Sequence, residues 1–149
     1  MEKLDEPLRV RIFANRDRYD AYLRRLIGER RQGFVYLHYR DAAKSELVGY
    51  HSEDTELNQS MIHQSFVQFL RAFIPHPPLW IREGFAVYYE RSVYDPDFDT
   101  AIYHENLAWL DTLKELVAGD TDRSPIPLGE MLSMTSEQAQ EQLETFYPQ

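Results

Sequence analysis

Pro75, Pro77 and Pro78 stand between two stretches that both carry helical periodicity. A proline inside a helix removes a backbone hydrogen bond and clashes with the preceding turn, whereas at the first helical position its fixed φ is already the helical one. These prolines therefore end one helix and start the next, and the fold must be built around that joint. The helix before it is expected to run from about Thr55, as N-cap, to Ile74, with Ile62, Phe66, Phe69, Leu70 and Phe73 as its apolar stripe. The helix after it, from Leu79 to about Ser92, is so rich in bulky apolar residues that it is expected to be largely buried.

The remaining elements follow from local pattern. Residues 8–14 alternate apolar and charged side chains, as a half-buried strand does. Asn15 is an N-cap for a helix carrying Tyr19, Tyr22, Leu23, Leu26 and Ile27 at helical spacing, and Gly28 closes it. Residues 33–39 and 46–51 read as two further strands, with 41–45 as their hairpin connection. Tyr94 to Asp97 reads as a loop. Ile102, Asn106, Trp109, Leu110, Leu113, Leu116 and Val117 mark another amphipathic helix ended by Gly119, and residues 120–127 read as a polar loop. Thr135 with Gln138 forms a capping box for a last helix over 136–146. The sum is an α+β chain, with a small N-terminal antiparallel or mixed sheet and a mainly helical remainder. At 149 residues it is expected to be one domain over 1–149. The last helix runs so close to Gln149 that the natural sequence is expected to continue.

Composition excludes several function classes. Net charge is −9 and the isoelectric point is near 5, which argues against a nucleic-acid partner, since phosphate binding wants a basic surface. The arginines between Arg9 and Arg40 are interleaved with carboxylates and read as a solvated face. There is no cysteine, so disulfides and thiolate metal sites are excluded. Residues 1–7 are polar and acidic, unlike a signal peptide, and no transmembrane segment is expected because no run is long and apolar enough.

The chemistry-bearing residues lie on either side of the proline joint. A zinc peptidase of the His-Glu-x-x-His type places two imidazoles at i and i+4 on one helix face, a glutamate between them to take a proton from the metal-bound water, and a further glutamate one helix later as third ligand. His63-Gln64-Ser65-Phe66-Val67 fills that frame, followed by Glu83. His63 and Glu83 have the right chemistry for metal ligands. Gln64 puts a neutral amide where the base is needed, and an amide oxygen is a feeble proton acceptor near neutral pH. Val67 offers no donor atom in place of the second histidine. His38, His51, His76 and His104 are the other imidazoles, and no two histidines stand at His-x-x-x-His or His-x-His spacing.

Together with Trp80-Ile81-Arg82-Glu83-Gly84-Phe85-Ala86-Val87-Tyr88-Tyr89-Glu90, these residues make the chain similar to the peptidase MA-like family of gluzincins. The resemblance extends to the order of elements: an alternating strand, a Tyr-rich helix, a small meander, the motif helix, the Glu83 helix and a later Pro-Leu-x-Glu-Met-Leu segment. It implies a zincin-like fold, residual metal-ligand positions at His63 and Glu83, and an exported bacterial setting. With Gln64 and Val67 in place of base and ligand, no catalytic residue and no cofactor are expected, zinc binding at most weakly. The expected role is that of a pseudoenzyme, binding or scaffolding within a larger bacterial protein, with a peptide or protein partner that can pair with an edge strand of the meander. Two other readings stand beside it. One is an active zinc hydrolase that uses His63, Glu83 and a replacement ligand. The other is an α+β interaction domain without zincin ancestry.

Overall fold

A computed structural model describes residues 7–103, 107, 110–119 and 124–142. The chain is α+β and divides into two compact units, Met1–His76 and Pro77–Gln149.

The N-terminal unit contains β1 (Val10–Phe13), α1 (Arg16–Ile27), β2 (Val35–Leu37), a single 3-10 turn (Ala42–Lys44), β3 (Glu46–Tyr50) and α2 (Thr55–Phe73). The strands form a mixed sheet in the order β1-β3-β2, with β1 parallel and β2 antiparallel to β3. Helix α1 begins and ends where its caps dictate. Asn15 Oδ1 accepts from the Arg18 N–H at 3.1 Å, and Gly28, at φ 74°, donates its N–H to Arg24 O.

Strand β3 is central, and both of its faces are covered. On one face Val48 packs with Tyr19, Leu23 and Leu37, with Phe13 and Tyr22 alongside. On the other, Leu47 packs with Phe34 and Leu57, with Tyr36 and Met61 alongside. The buried Glu46 carboxylate is held by Arg11 Nε at 2.9 Å and by the Tyr22 hydroxyl, so its charge is compensated inside the unit. Tyr19 is fully buried and donates its hydroxyl to Gly33 O at 2.6 Å. Burial first, then the Asp20 charge, pushes its phenol up to about 12.

Gly49 lets the Phe34 ring lie flat across β3. A Cβ at position 49 would come within 2.2–2.4 Å of three Phe34 ring carbons, closer than any real contact, so the absence of a side chain is what admits the ring.

Three local expectations change here. β1 starts at Val10, and Val10 and Ile12 remain 55% and 58% exposed, because β1 is an edge strand and α2 lies over β2 and β3. β2 is shorter than residues 33–39: Gly33 has φ 75°, and the Tyr39 N–H bonds to Ser45 Oγ instead of a ladder partner. The cap of α2 is Asp54, whose Oδ1 accepts from the Glu56 N–H at 2.9 Å, so Thr55 is the first helical residue.

The C-terminal unit contains α3 (Leu79–Tyr89), β4 (Val93–Asp95), β5 (Thr100–Ile102), α4 (Leu110–Ala118), α5 (Leu128–Ser133) and α6 (Ser136–Glu141). Leu79, Ile126, Met134 and Ala139 form its core cluster, with Met131 packed against them. The capping box of α6 is present, with the Gln138 N–H donating to Thr135 Oγ1 and the Thr135 N–H to Gln138 Oε1.

Here the corrections are larger. Only Leu79 and Ala86 of α3 are buried, while Trp80, Phe85, Tyr88 and Tyr89 are 37–46% exposed. The aromatic side chains cover one another: Phe85 stacks on Tyr89, and Tyr88 on Tyr103 at 4.0 Å between ring centroids. Tyr94 and Asp95, read as loop, belong to the antiparallel hairpin β4–β5. Its turn is stabilised by Asp99 at φ 48°, a conformation aspartate tolerates, and by Tyr94 donating to Asp99 Oδ1 at 2.7 Å. Ile102 is therefore a strand residue, and among the described residues the following helix is Leu110–Ala118. His104, Asn106 and Trp109, and the stretch beyond 142 expected to continue the last helix, lie outside the described residues. Among the described residues no helix is long and apolar enough to cross a membrane.

Replacing Gly49 with alanine forces the Phe34 ring out of its place. Gly49→Ala is expected to destabilise the protein by about 1–3 kcal/mol, the usual scale for overpacking, as measured by urea unfolding. The loss should shrink in a Phe34→Leu background. Equal losses in both backgrounds would mean the ring contact is not the cause.

Candidate functional site

The sheet-facing side of α2 follows from its contacts. Leu57 and Met61 join the apolar cluster beneath the sheet. Ser60 Oγ accepts the Phe34 N–H at 2.9 Å, Gln64 Oε1 accepts the Tyr36 N–H at 3.4 Å, and Gln68 Nε2 donates to Arg9 O at 2.9 Å. Residues 57, 60, 61, 64 and 68 recur at i+3 and i+4, so they share one helix face. The expected stripe lies at other positions of the helix and is covered only in part. Phe69 and Phe73 are 50% and 45% exposed, while Ile62, Phe66 and Leu70 are half-buried.

The motif residues can now be placed. Gln64, at the position where the expected motif would carry its base, turns its amide oxygen toward the backbone of β2. Val67 is buried and supplies only hydrocarbon. His63 is half-buried on α2 in the N-terminal unit. Glu83 lies on α3 in the C-terminal unit, its side chain 14% exposed, and its Oε1 accepts from Arg82 Nε at 2.6 Å. Arg82 reaches on to Ser136 Oγ, at 3.3 Å, at the start of α6. The carboxylate thus has a fixed guanidinium beside it. Arg82 was not singled out in the sequence, although a basic residue next to the key glutamate is visible in Trp80-Ile81-Arg82-Glu83. Glu90 is the C-cap residue of α3, its N–H bonded to Ala86 O.

Among the described residues no group of three or more His, Cys, Asp or Glu side chains is arranged to hold a metal ion. Of the other imidazoles, His51 continues β3, its N–H bonded to Phe13 O, and His38 follows β2. His104 lies outside the described residues.

A groove of about 460 Å³ runs beside β2, lined by residues 34–39, Gln64 and the Ile27, Arg31 and Gln32 side. Strand addition at β2 is more restricted than expected, because the Phe34 and Tyr36 N–H groups are already bonded to α2. What remains is a groove whose floor offers side chains: Tyr36, His38 and the Gln64 amide.

Comparison with protein-family models, curated proteins and solved structures gave no match to this chain.

The role assigned to Gln64 is measurable. Gln64→Leu leaves the Tyr36 N–H without its acceptor and is expected to cost about 1–3 kcal/mol in chemical unfolding. Gln64→Glu keeps an acceptor oxygen and should cost less. A Leu variant as stable as the parent would remove the structural role.

Proposed function

We propose that the chain is a catalytically degenerate gluzincin-like metallopeptidase homologue, zincin-like in fold, that serves as a binding or scaffolding domain for a peptide or protein. The observation that carries this reading is the altered use of the two key positions. The side chain at the base position, Gln64, is spent on the backbone of β2, and the carboxylate at the third-ligand position, Glu83, is neutralised by Arg82.

Both changes work against metal hydrolysis. Removing a general base costs about 100- to 10,000-fold in rate. A structural or catalytic zinc site draws its affinity from the full ligand set, so losing the imidazole at Val67 removes a large share of it. A guanidinium 2.6 Å from Glu83 also occupies, electrostatically, the place of a cation. The groove along β2 then supports binding without turnover, with Tyr36, His38 and Gln64 as contact residues.

Metal analysis of the purified protein, with zinc titration by calorimetry and a peptide-cleavage assay, tests the reading. The expected result is substoichiometric zinc and no cleavage. Stoichiometric zinc, together with cleavage abolished by Glu83→Ala, would establish instead an active hydrolase with a rearranged ligand set.

A further inference from the structure

Strand β1 is an outer strand of its sheet, with β3 on one side and no described strand on the other. It pairs with β3 from Val10↔Leu47 to Phe13↔Tyr50. The Arg9 carbonyl accepts the Leu47 N–H at 2.9 Å, and the Phe13 carbonyl accepts the His51 N–H at 2.8 Å. The odd-numbered residues thus turn their backbone groups toward β3. Backbone groups alternate between the two edges of a strand, so Val10 and Ile12 turn theirs to the open side. Both residues are more than half exposed. The edge of β2 is different, because side chains of α2 already take up the Phe34 and Tyr36 N–H groups.

The two faces beside this open edge differ in chemistry. The Arg11 guanidinium lies 5.1 Å from the centre of the Tyr22 ring of α1, so Val10 and Ile12 lie on the other face. Arg25 lies 5.6 Å from the same ring, and Arg18, Tyr22 and Arg25 share one face of α1. The charge of Arg11 is met by Glu46 at 2.9 Å. Of the carboxylates of α1 and the turn after it, Asp20 faces Arg16 and Arg30, and Glu29 bonds Arg31. That leaves Asp17 against Arg18, Arg24 and Arg25, which are exposed and form no ion pair among the described residues. One face of the edge is therefore apolar and the other is bordered by excess positive charge. A second copy fits poorly. Antiparallel pairing of two β1 strands about their centre sets Arg11 opposite Arg11 and gathers the α1 arginines of both copies, and like charges directly opposite are destabilising.

We propose that the open edge of β1 takes an extended peptide strand in which acidic residues alternate with apolar ones. The peptide backbone pairs with the N–H and C=O groups of Val10 and Ile12. Its apolar side chains lie over Val10 and Ile12, and its carboxylates lie on the side of Arg18 and Arg25. This site is separate from the groove along β2 and does not rest on the metallopeptidase reading.

The test titrates the whole protein with acetyl-Glu-Val-Glu-Val-Glu-Val-amide and follows backbone amides by NMR. A saturable shift of the Val10 and Ile12 N–H signals is expected, with slowed hydrogen exchange at both. The corresponding Lys-Val peptide should bind about tenfold more weakly. The double variant Arg18→Glu, Arg25→Glu, checked for folding by circular dichroism, should lose about fivefold in affinity, the scale of an exposed ion pair. N-methylated peptides test the pairing with the protein unaltered: methylating one alternate set of nitrogens should abolish binding, and methylating the other should leave it. The proposal is overturned if Val10 and Ile12 are unaffected, if the shifts fall instead on Tyr36 and His38 of the β2 groove, if the Lys-Val peptide binds equally, or if both methylated peptides behave alike. Protection of Val10 and Ile12 that grows with protein concentration in the absence of peptide would assign the edge to a second copy and overturn it as well.

Discussion

Strand β3 has to be covered on both faces, and the rest of the N-terminal unit is arranged to do so. Leu47 and Val48 point in opposite directions and are both buried, so a helix is needed on each side. The cluster built on Tyr19 and Leu23 of α1 covers one face, and the cluster built on Leu57 of α2 covers the other. Gly49 permits the close approach of Phe34 on the α2 side, while Glu46 on β3 is tolerated because Arg11 and Tyr22 satisfy its carboxylate. Once α2 is fixed by Leu57 and Met61, the positions that fall on the same face are fixed as well, and one of them is Gln64.

That constraint bears directly on the chemistry. A side chain at position 64 points to the edge of β2, where the Tyr36 N–H needs an acceptor. An amide meets that need without carrying a charge. Ser60 does the same for Phe34 one turn earlier, and Gln68 serves Arg9 O one turn later. Gln64 thus belongs to a row of polar side chains that fasten the helix to the sheet. The same row closes part of the β2 edge and leaves side chains, not backbone donors, to line the neighbouring groove.

Local signals were the most legible in the sequence. Asn15, Gly28 and the Thr135–Gln138 capping box act within a few residues, and each is seen where the sequence places it. The α+β class was legible for the same reason, whereas the sequence left the sheet open between antiparallel and mixed, because the parallel pairing of β1 with β3 is made across the chain. The face of α2 was not, because Ser60, Gln64 and Gln68 are polar yet turn inward to bond backbone, which apolar periodicity cannot reveal. Burial of α3 was overestimated because Trp80, Phe85, Tyr88 and Tyr89 lie around much of the helix, whereas its buried residues are only Leu79 and Ala86. The hairpin β4–β5 was hidden because Pro96, Asp97 and Asp99 are turn signals that serve equally well between two three-residue strands. Of the candidate site, His63, Gln64, Val67 and Glu83 could be named from spacing. Arg82 stands beside Glu83 in the sequence, whereas its reach to Ser136 Oγ depends on tertiary placement.

Under the proposed function, Gln64 and Val67 are what would separate this chain from a zinc peptidase site using the positions of His63 and Glu83. Restoring the motif tests it most directly: the double variant Gln64→Glu, Val67→His, checked for native circular dichroism and titrated with zinc. The account predicts that the variant gains a stoichiometric zinc site that is lost again on Glu83→Ala. A folded double variant that takes up no zinc, or whose zinc is indifferent to Glu83, would contradict it.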